Sequence, residues 1–149
     1  MKKTFRSLSF IAAFALIATV IPLLRGGGIT ANAAGDFTMD GTTLTAYTGS
    51  ASSVTIPEGV VTIASNAFKD KSMVTSITLP STLTTIKNYA FRGSSVTKIE
   101  LPSSVSSISS YAFDGCTSLT GIYSYNGSDY FSTYSGVLYT KGGTTLLRY

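Results

Sequence analysis

The feature that most constrains this chain is an internal repeat with a period of about 22 to 23 residues. An Ile-Pro or Leu-Pro pair begins at Ile56, Leu79 and Leu101 and marks the period. Other apolar positions recur in phase with it: Val60, Leu83 and Val105; Ile63, Ile86 and Ile108; Ala67-Phe68, Ala90-Phe91 and Ala112-Phe113; Val74, Val96 and Leu119; Ile77, Ile99 and Ile122. Chance does not hold that many registers in phase over three copies, and a period of about 20 to 50 residues is typical of stacked repeat architectures.

Each repeat contains two extended segments and a turn. The segments 74–79 and 96–101 alternate apolar and polar residues, which indicates half-buried strands, and a proline ends each one because it cannot donate to a ladder. Ser65, Asn88 and Ser110 stand two residues before the Ala-Phe pairs, where an N-cap side chain predicts one short helical turn. The repeat therefore predicts a solenoid, with β-rich coils of about 22 to 23 residues, parallel strands and a short helical turn per repeat.

The shared register of Phe68, Phe91 and Phe113 predicts one buried aromatic stack. A single coil cannot bury its own apolar face, but stacked coils can, with each phenylalanine lying on its counterpart. Strands of adjacent coils are then expected about 4.8 Å apart.

The N-terminus has the order of a secretory signal peptide. Three basic residues precede residue 7, an apolar run over 10–24 follows, and Ala31-Asn32-Ala33 supplies the small residues of a cleavage site. The alternative is a retained membrane anchor, but that needs about 20 uninterrupted apolar residues, and this run contains Pro22. We expect residues 1–33 to be a signal peptide, cleaved after Ala33 or Ala34. The mature chain is then secreted, free or at a bacterial cell surface, with no membrane insertion.

The charge of the chain resembles a nucleic-acid-binding protein only superficially. The formal net charge is +4, but four of the eleven Lys and Arg lie at or before Arg25. From Asp36 onward the chain carries seven basic and seven acidic residues. The mature portion therefore has no excess of positive charge for phosphates, and we expect no nucleic-acid partner.

The composition also argues against catalysis. The chain has no His and one Cys, so Ser-His and Cys-His nucleophile pairs and metal sites of His and Cys cannot form. The acidic residues are scattered over different coils, and a solenoid this short is expected to offer no cleft. We predict no catalytic, metal or cofactor site, and we expect that the protein is not an enzyme. Cys116 is interpreted as a buried packing thiol, with an intermolecular disulfide as the alternative.

The repeat resembles a known family. The pattern L-x-x-I-x-L-P-x-x-(V/L)-x-x-I-x-x-x-A-F-x-G-C is similar to the BspA-like leucine-rich repeat of bacterial surface proteins, and 79–91 and 101–116 match it almost position for position. The resemblance implies a parallel-stranded solenoid, secretion or surface display, and adhesion to host or matrix molecules. The family shares no catalytic site, so it assigns no functional residue. Asp70-Lys71 in the first repeat and Gly93-Ser94 in the second depart from the Gly-Cys of the pattern.

The segments on either side of the repeats resemble each other. Gly41-Thr42-Thr43-Leu44 recurs as Gly143-Thr144-Thr145-Leu146, and Asp40-Gly41 and Gly142-Gly143 are predicted hairpin turns. The resulting organisation is a signal peptide (1–33), an N-terminal hairpin or capping segment (34–53), three repeats (54–124), and a C-terminal Tyr-rich segment with a hairpin (125–149). The chain ends after the second hairpin, which indicates either a truncation or an early stop. An uncapped end predicts weak hydrogen-exchange protection of the last dozen residues, or self-association through this end.

Two surface features are candidates for binding. On the predicted strand face, Thr78, Glu100 and Tyr123 form one outward row, with Ser76, Lys98 and Gly121 beside it. Five tyrosines and Phe131 crowd into 123–139, either as an aromatic platform or, in the interpretation we favour, as a cover for the last coil. The candidate interaction surface consists of Ser76, Thr78, Lys98, Glu100, Tyr123, Tyr125 and Tyr130.

The sequence thus favours a secreted or cell-surface interaction module of the adhesion type, which binds an extracellular protein or glycan through the solenoid surface. The alternative is a passive spacer, a fragment of a longer repeat protein without a ligand site. A carbohydrate-active enzyme is the third and least favoured hypothesis, because it needs two facing carboxyl groups.

Overall fold

The computed structural model describes residues 30–31, 34–124 and 128–141 of this chain. Apart from a 3-10 turn at Ala34–Asp36, the regular elements of these residues are strands. They are β1 (Thr30–Ala31), β2 (Phe37–Asp40), β3 (Thr43–Tyr47), β4 (Ser53–Thr55), β5 (Thr62–Ile63), β6 (Ser76–Thr78), β7 (Thr85–Ile86), β8 (Lys98–Leu101), β9 (Ser107–Ile108), β10 (Gly121–Ser124), β11 (Phe131–Tyr134) and β12 (Val137–Thr140).

The strands form two sheets that the chain visits in alternation. The first sheet has the order β1-β4-β6-β8-β10, and the second has the order β2-β3-β5-β7-β9. Neighbouring strands run parallel, except in the β2–β3 hairpin at one end of the second sheet. Strands β11 and β12 form a separate antiparallel hairpin. This alternation is the winding of a solenoid, so the predicted fold class and its parallel strands are confirmed.

The core is a column of aromatic rings that passes through the coils. Phe68 and Phe91 stack with their centroids 5.1 Å apart and their planes inclined by 17°, and Phe91 and Phe113 stack at 5.1 Å and 4°. The predicted stack is therefore present. Tyr47 extends it by one ring, 5.2 Å from Phe68, although Tyr47 precedes the first repeat. Most Ile, Leu and Val positions of the repeat are almost completely buried around this column, while Leu79 and Ile108 are partly buried.

The predicted helical turn is the part of the fold class that is wrong. Segments 65–70, 88–93 and 110–115 are chains of turns, with positive φ at Asn66 and Tyr89. The Phe68 N–H donates to the Ala90 carbonyl at 2.7 Å, and the Phe91 N–H donates to Ala112 at 2.9 Å. Because these amides bond to the next coil, they are not available for bonds within a helix.

Of the residues predicted as N-caps, Asn88 has another role. Ser65, Asn88 and Ser110 each begin one of these turn segments. The side-chain oxygen of Asn88 accepts a hydrogen bond from Ser109 Oγ in the next coil, at 2.9 Å. This side chain therefore ties two coils together, where a helix cap would bind an amide of its own turn.

The N-terminal hairpin covers one end of the second sheet. Asp40 pairs with Thr43, so the turn consists of Gly41 and Thr42, one residue later than predicted. Gly41 has a φ of 58°, which glycine adopts without steric cost. Strand β3 then pairs in parallel with β5. The predicted Gly142-Gly143 turn and the Gly-Thr-Thr-Leu copy after it lie outside the described residues.

One strand comes from the segment predicted to be a signal peptide. In β1, Thr30 pairs with Ser53 and Ala31 pairs with Val54, so β1 forms the edge of the first sheet. The apolar run over 10–24 lies outside the described part of the chain. Within that described part, no helix has the length and apolar character needed to cross a membrane.

Candidate interaction surface

The outer face of the first sheet carries the predicted interaction residues in two rows. Ser76 pairs with Lys98, and Lys98 pairs with Gly121 on the next strand. In the second row Glu100 pairs with Tyr123. Five predicted residues are exposed on this face: Ser76, Thr78, Lys98, Glu100 and Tyr123. The parallel register places corresponding residues of neighbouring strands side by side. Side chains two residues apart on one strand also point to the same side of the sheet, so the five residues lie together.

Lys98, Glu100 and Tyr123 form one cluster on this face. Lys98 Nζ lies 2.6 Å from Glu100 Oε1, in an ion pair whose two side chains are both about half exposed. The same Nζ lies 4.8 Å from the centroid of the Tyr123 ring, a cation–π geometry. The two charges compensate each other, so the cluster is polar and aromatic but close to neutral.

Gly121 is the member of the rows that does not face solvent. It is buried, because the Tyr123 side chain folds back along the strand over it. A Cβ at position 121 would lie 2.9 Å from Tyr123 Oη and 3.0 Å from two ring carbons, closer than side chains tolerate. The glycine therefore makes room for the tyrosine side chain. Position 121 lies on the outer face, as predicted, but Tyr123 covers it.

A shallow groove lies beside the cluster, contrary to the expectation that so short a solenoid has no cleft. Within the described residues β6 pairs with β8 at one position, Ser76 with Lys98, whereas β8 and β10 pair at four. The groove has a volume of about 610 Å³. Its lining residues are Ser76, Ile77, Thr78, Leu79, Lys98, Glu100, Pro102 and Ser103.

The β11–β12 hairpin covers the free edge of the last strand of this sheet. The Ile122 N–H donates to the Gly136 carbonyl at 2.9 Å, and the Ser124 N–H donates to Thr133 Oγ1 at 2.8 Å. Phe131 and Leu138 are the buried apolar residues of the hairpin. These contacts replace the strand that a further coil would supply.

Two tyrosines of this region, Tyr130 and Tyr134, do not serve as the cover. Tyr130 is 50% exposed and Tyr134 is 76% exposed, while Phe131 and Leu138 fill the interior. Tyr130 lies on the hairpin, so it is not part of the Lys98–Glu100–Tyr123 cluster. Tyr125 lies outside the described residues. The favoured interpretation of the Tyr-rich segment as a cover is therefore wrong for Tyr130 and Tyr134.

Cys116 is a packing residue. It is buried, its Sγ donates to the Phe91 carbonyl at 3.0 Å, and Ser94 Oγ lies 3.5 Å away. Burial raises the pKa of the Cys116 thiol, with the hydrogen bonds of Ser94 acting in the opposite direction. The thiol is thus kept protonated and away from solvent, which disfavours the intermolecular disulfide.

The described residues contain no assembled metal site. No group of three or more Cys, Asp or Glu side chains among them converges on a common point. Every buried side-chain nitrogen or oxygen in this part of the chain has a hydrogen-bond partner. On the outer face of the first sheet, the cluster offers hydrogen bonds, a compensated ion pair and an aromatic ring.

Comparison with known proteins assigns the chain to one family of repeat proteins. The family model described as the BspA type leucine-rich repeat region matches residues 43–135. No curated protein matches the chain significantly by sequence.

Several solved structures are similar in fold. A leucine-rich cell surface protein of Faecalibacterium prausnitzii is 36% identical, with a TM-score of 0.59, over 65% of this chain and 26% of that protein. The pneumococcal vaccine antigen PcpA is 30% identical, with a TM-score of 0.62, over 65% and 25%. A leucine-rich repeat protein of Eubacterium ventriosum is 26% identical, with a TM-score of 0.53, over 66% and 32%. The matched region thus spans about a quarter to a third of the length of these structures.

Proposed function

Because this chain belongs to the BspA-type leucine-rich repeat family, we propose that it is an extracellular interaction module of the adhesion type. It binds a protein or glycan partner through the outer face of its first sheet. The similarity to a bacterial cell surface protein and to a pneumococcal vaccine antigen supports an extracellular location. Secretion by means of a cleaved signal peptide is part of the proposal.

The observation that carries the proposal is the Lys98–Glu100–Tyr123 cluster beside the groove. A half-exposed ion pair contributes little to folding stability, typically about 0 to 1 kcal/mol. The fold therefore has no strong need for these residues. Tyrosine, in contrast, offers a large contact area with few rotatable bonds and is enriched where proteins bind partners.

A passive spacer is the alternative, and one observation favours it. The chain covers 26%, 25% and 32% of the structures it resembles, so its repeats are a fraction of those in longer proteins. In a spacer, the outer face would only need to be soluble. The Lys98 and Glu100 pair would then serve solubility, and Tyr123 would have no ligand.

Binding of the secreted chain to an array of extracellular matrix proteins and glycans distinguishes the two functions. Tyr123→Ala and the double variant Lys98→Ala/Glu100→Ala are expected to lose binding. Tyr134→Ala is the matched control, because that tyrosine is exposed on the hairpin, outside the cluster. An array without any ligand would favour the spacer, whereas binding that survives both cluster variants would reject this face as the binding surface.

A further inference from the structure

We propose that the partner of this surface is a neutral glycan, with a sugar unit seated in the groove between β6 and β8 and its neighbour over Tyr123. The inference rests on the proposed function and specifies its ligand. Three properties of the described residues support it: hydroxyl groups without a partner in the fold, compensated charge and a tyrosine ring positioned by its neighbours.

The groove hydroxyls differ from those of the threonines that directly precede β6, β8 and β10. Thr75, Thr97 and Thr120 each donate from Oγ1 to a backbone carbonyl of the preceding coil, at 3.2, 3.2 and 2.8 Å. These hydroxyls therefore already hydrogen-bond one coil to the next. The hydroxyls of Ser76, Thr78 and Ser103 line the groove, and within the described part of the chain they have no hydrogen-bond partner. They remain available to a ligand that both donates and accepts hydrogen bonds.

The charges of the cluster select against ionic ligands. Glu100 lies 2.6 Å from Lys98, so a sulfated or phosphorylated ligand that approaches the ammonium also approaches a carboxylate. A basic peptide meets the reverse problem at Lys98. A sugar hydroxyl avoids both, because it accepts from an ammonium group and donates to a carboxylate at neighbouring positions. Charge complementarity therefore favours a neutral, hydroxyl-rich ligand.

The apolar parts of the site suit the C–H faces of a sugar ring. Leu79 and Pro102 line the groove next to the three hydroxyls. Tyr123 is 39% exposed, and its ring is positioned by the missing Cβ of Gly121 and by Lys98 Nζ at 4.8 Å. A ring that is already positioned loses little conformational freedom when a ligand binds. The combination of an aromatic surface with adjacent hydrogen-bonding groups matches the two-sided chemistry of a pyranose.

The test is a titration of the secreted chain with neutral hexose oligosaccharides, namely maltohexaose, cellohexaose and mannohexaose, observed by NMR chemical shifts. Heparin and deglycosylated matrix proteins are titrated in parallel. Binding of a neutral oligosaccharide is expected, and its Kd should change less than about twofold between 50 and 500 mM salt, because neutral contacts are not screened.

Variants locate the site. Tyr123→Ala is expected to weaken sugar binding by about tenfold or more, since buried aromatic contacts dominate binding sites. Thr78→Val removes an unused hydroxyl at nearly constant shape, so it should weaken binding without loss of folding. Tyr134→Ala should leave the Kd unchanged.

Two results would overturn the inference in different ways. Binding of heparin or of deglycosylated protein, lost in Tyr123→Ala, with no response to the neutral sugars, would reject the neutral glycan and retain an interaction module. No response to any of the three ligand classes, or responses that Tyr123→Ala and Thr78→Val leave intact, would reject both the glycan and this surface.

Discussion

Phe91 and Phe113 lie face to face in successive coils, with ring centroids 5.1 Å apart and planes within 4° of parallel. Phe91 also stacks on Phe68 at 5.1 Å, so it is an inner ring of the column. Phe91→Ala should lower the free energy of unfolding by about 3 to 5 kcal/mol, since it removes buried apolar surface and leaves a cavity between Phe68 and Phe113. Urea titration followed by circular dichroism measures this change.

Met73→Ala is the control for the phenylalanine variant, because Met73 is 62% exposed. Substitutions at exposed positions usually change the free energy of unfolding by less than about 0.5 kcal/mol. If Phe91→Ala unfolded at the same urea concentration as wild type, the aromatic column would not be the core of the fold.

Gly49 tests how closely the chain packs around Tyr47. A Cβ at position 49 would lie 2.5 Å from Tyr47 Oη, and this hydroxyl accepts a hydrogen bond from the Ala51 N–H at 3.2 Å. Gly49→Ala should therefore displace the buried ring and destabilise the fold by about 1 to 3 kcal/mol. Gly35→Ala is the matched control, because a Cβ at position 35 would have no other atom within 4 Å. Equal melting temperatures for the two variants would contradict the packing.

The buried thiol of Cys116 should make the free energy of unfolding depend on pH. Burial raises the pKa of its thiol in the folded chain, while in the unfolded chain the thiol ionises near its ordinary pKa of about 8.5. The stabilisation is complete below that pH and is lost as the pH rises above it, because only the unfolded state then releases the proton. The free energy of unfolding should fall more steeply between pH 8 and about 10 for wild type than for Cys116→Ala.

Thiol chemistry provides a second measurement at Cys116. The folded chain should react slowly with a thiol reagent and show no disulfide-linked dimer, whereas the urea-unfolded chain should react at the rate of a free thiol. Identical pH slopes for wild type and Cys116→Ala, or fast labelling of the folded chain, would place this thiol at the surface.

The sequence predicted the features that repeat, because the residues responsible for each feature recur in three copies. The strand positions, the proline stops and the Phe68–Phe91–Phe113 column all follow from apolar residues that recur in phase. Tyr47 was missed because it precedes the first Ile-Pro pair, although it occupies the same column. The helical turn was predicted from local capping residues. Local pattern does not reveal that the Phe68 amide bonds to Ala90 of the next coil.

The candidate surface was predictable only in part, for a related reason. The alternation of side chains and the common offset of parallel strands place Lys98, Glu100 and Tyr123 on one face. The groove lies where β6 and β8 pair at one position, and the sequence does not show how far two strands remain paired. The burial of Gly121 depends on a tyrosine that folds back over its own strand. It also depends on the turn residue Gly136, where a Cβ would lie 3.4 Å from the Gly121 Cα.

The predicted signal peptide has a measurable consequence for the first sheet. Cleavage after Ala33 or Ala34 would remove β1, whose Thr30 and Ala31 pair with Ser53 and Val54. The secreted chain should begin at Ala34 or Gly35 by intact mass. A chain produced from Thr30 should then be more stable to urea than one produced from Ala34, by about 0.5 to 1.5 kcal/mol for each backbone hydrogen bond retained. Secreted material that retains Met1 would refute the signal peptide, and equal urea midpoints would refute a contribution from β1.

The β11–β12 hairpin is expected to protect the last strand of the first sheet. Ile122 and Ser124 donate their amides to Gly136 O and Thr133 Oγ1, and the fully buried Leu138 packs the hairpin against the coil. Leu138→Ala should loosen the hairpin, so hydrogen exchange of the Ile122 and Ser124 amides should accelerate. Because β10 then becomes an open edge, self-association at this end should rise with protein concentration. Tyr134→Ala, at the exposed tip, should change neither exchange nor association. Full protection of both amides in dilute Leu138→Ala would mean that the hairpin does not depend on Leu138 to cap the solenoid.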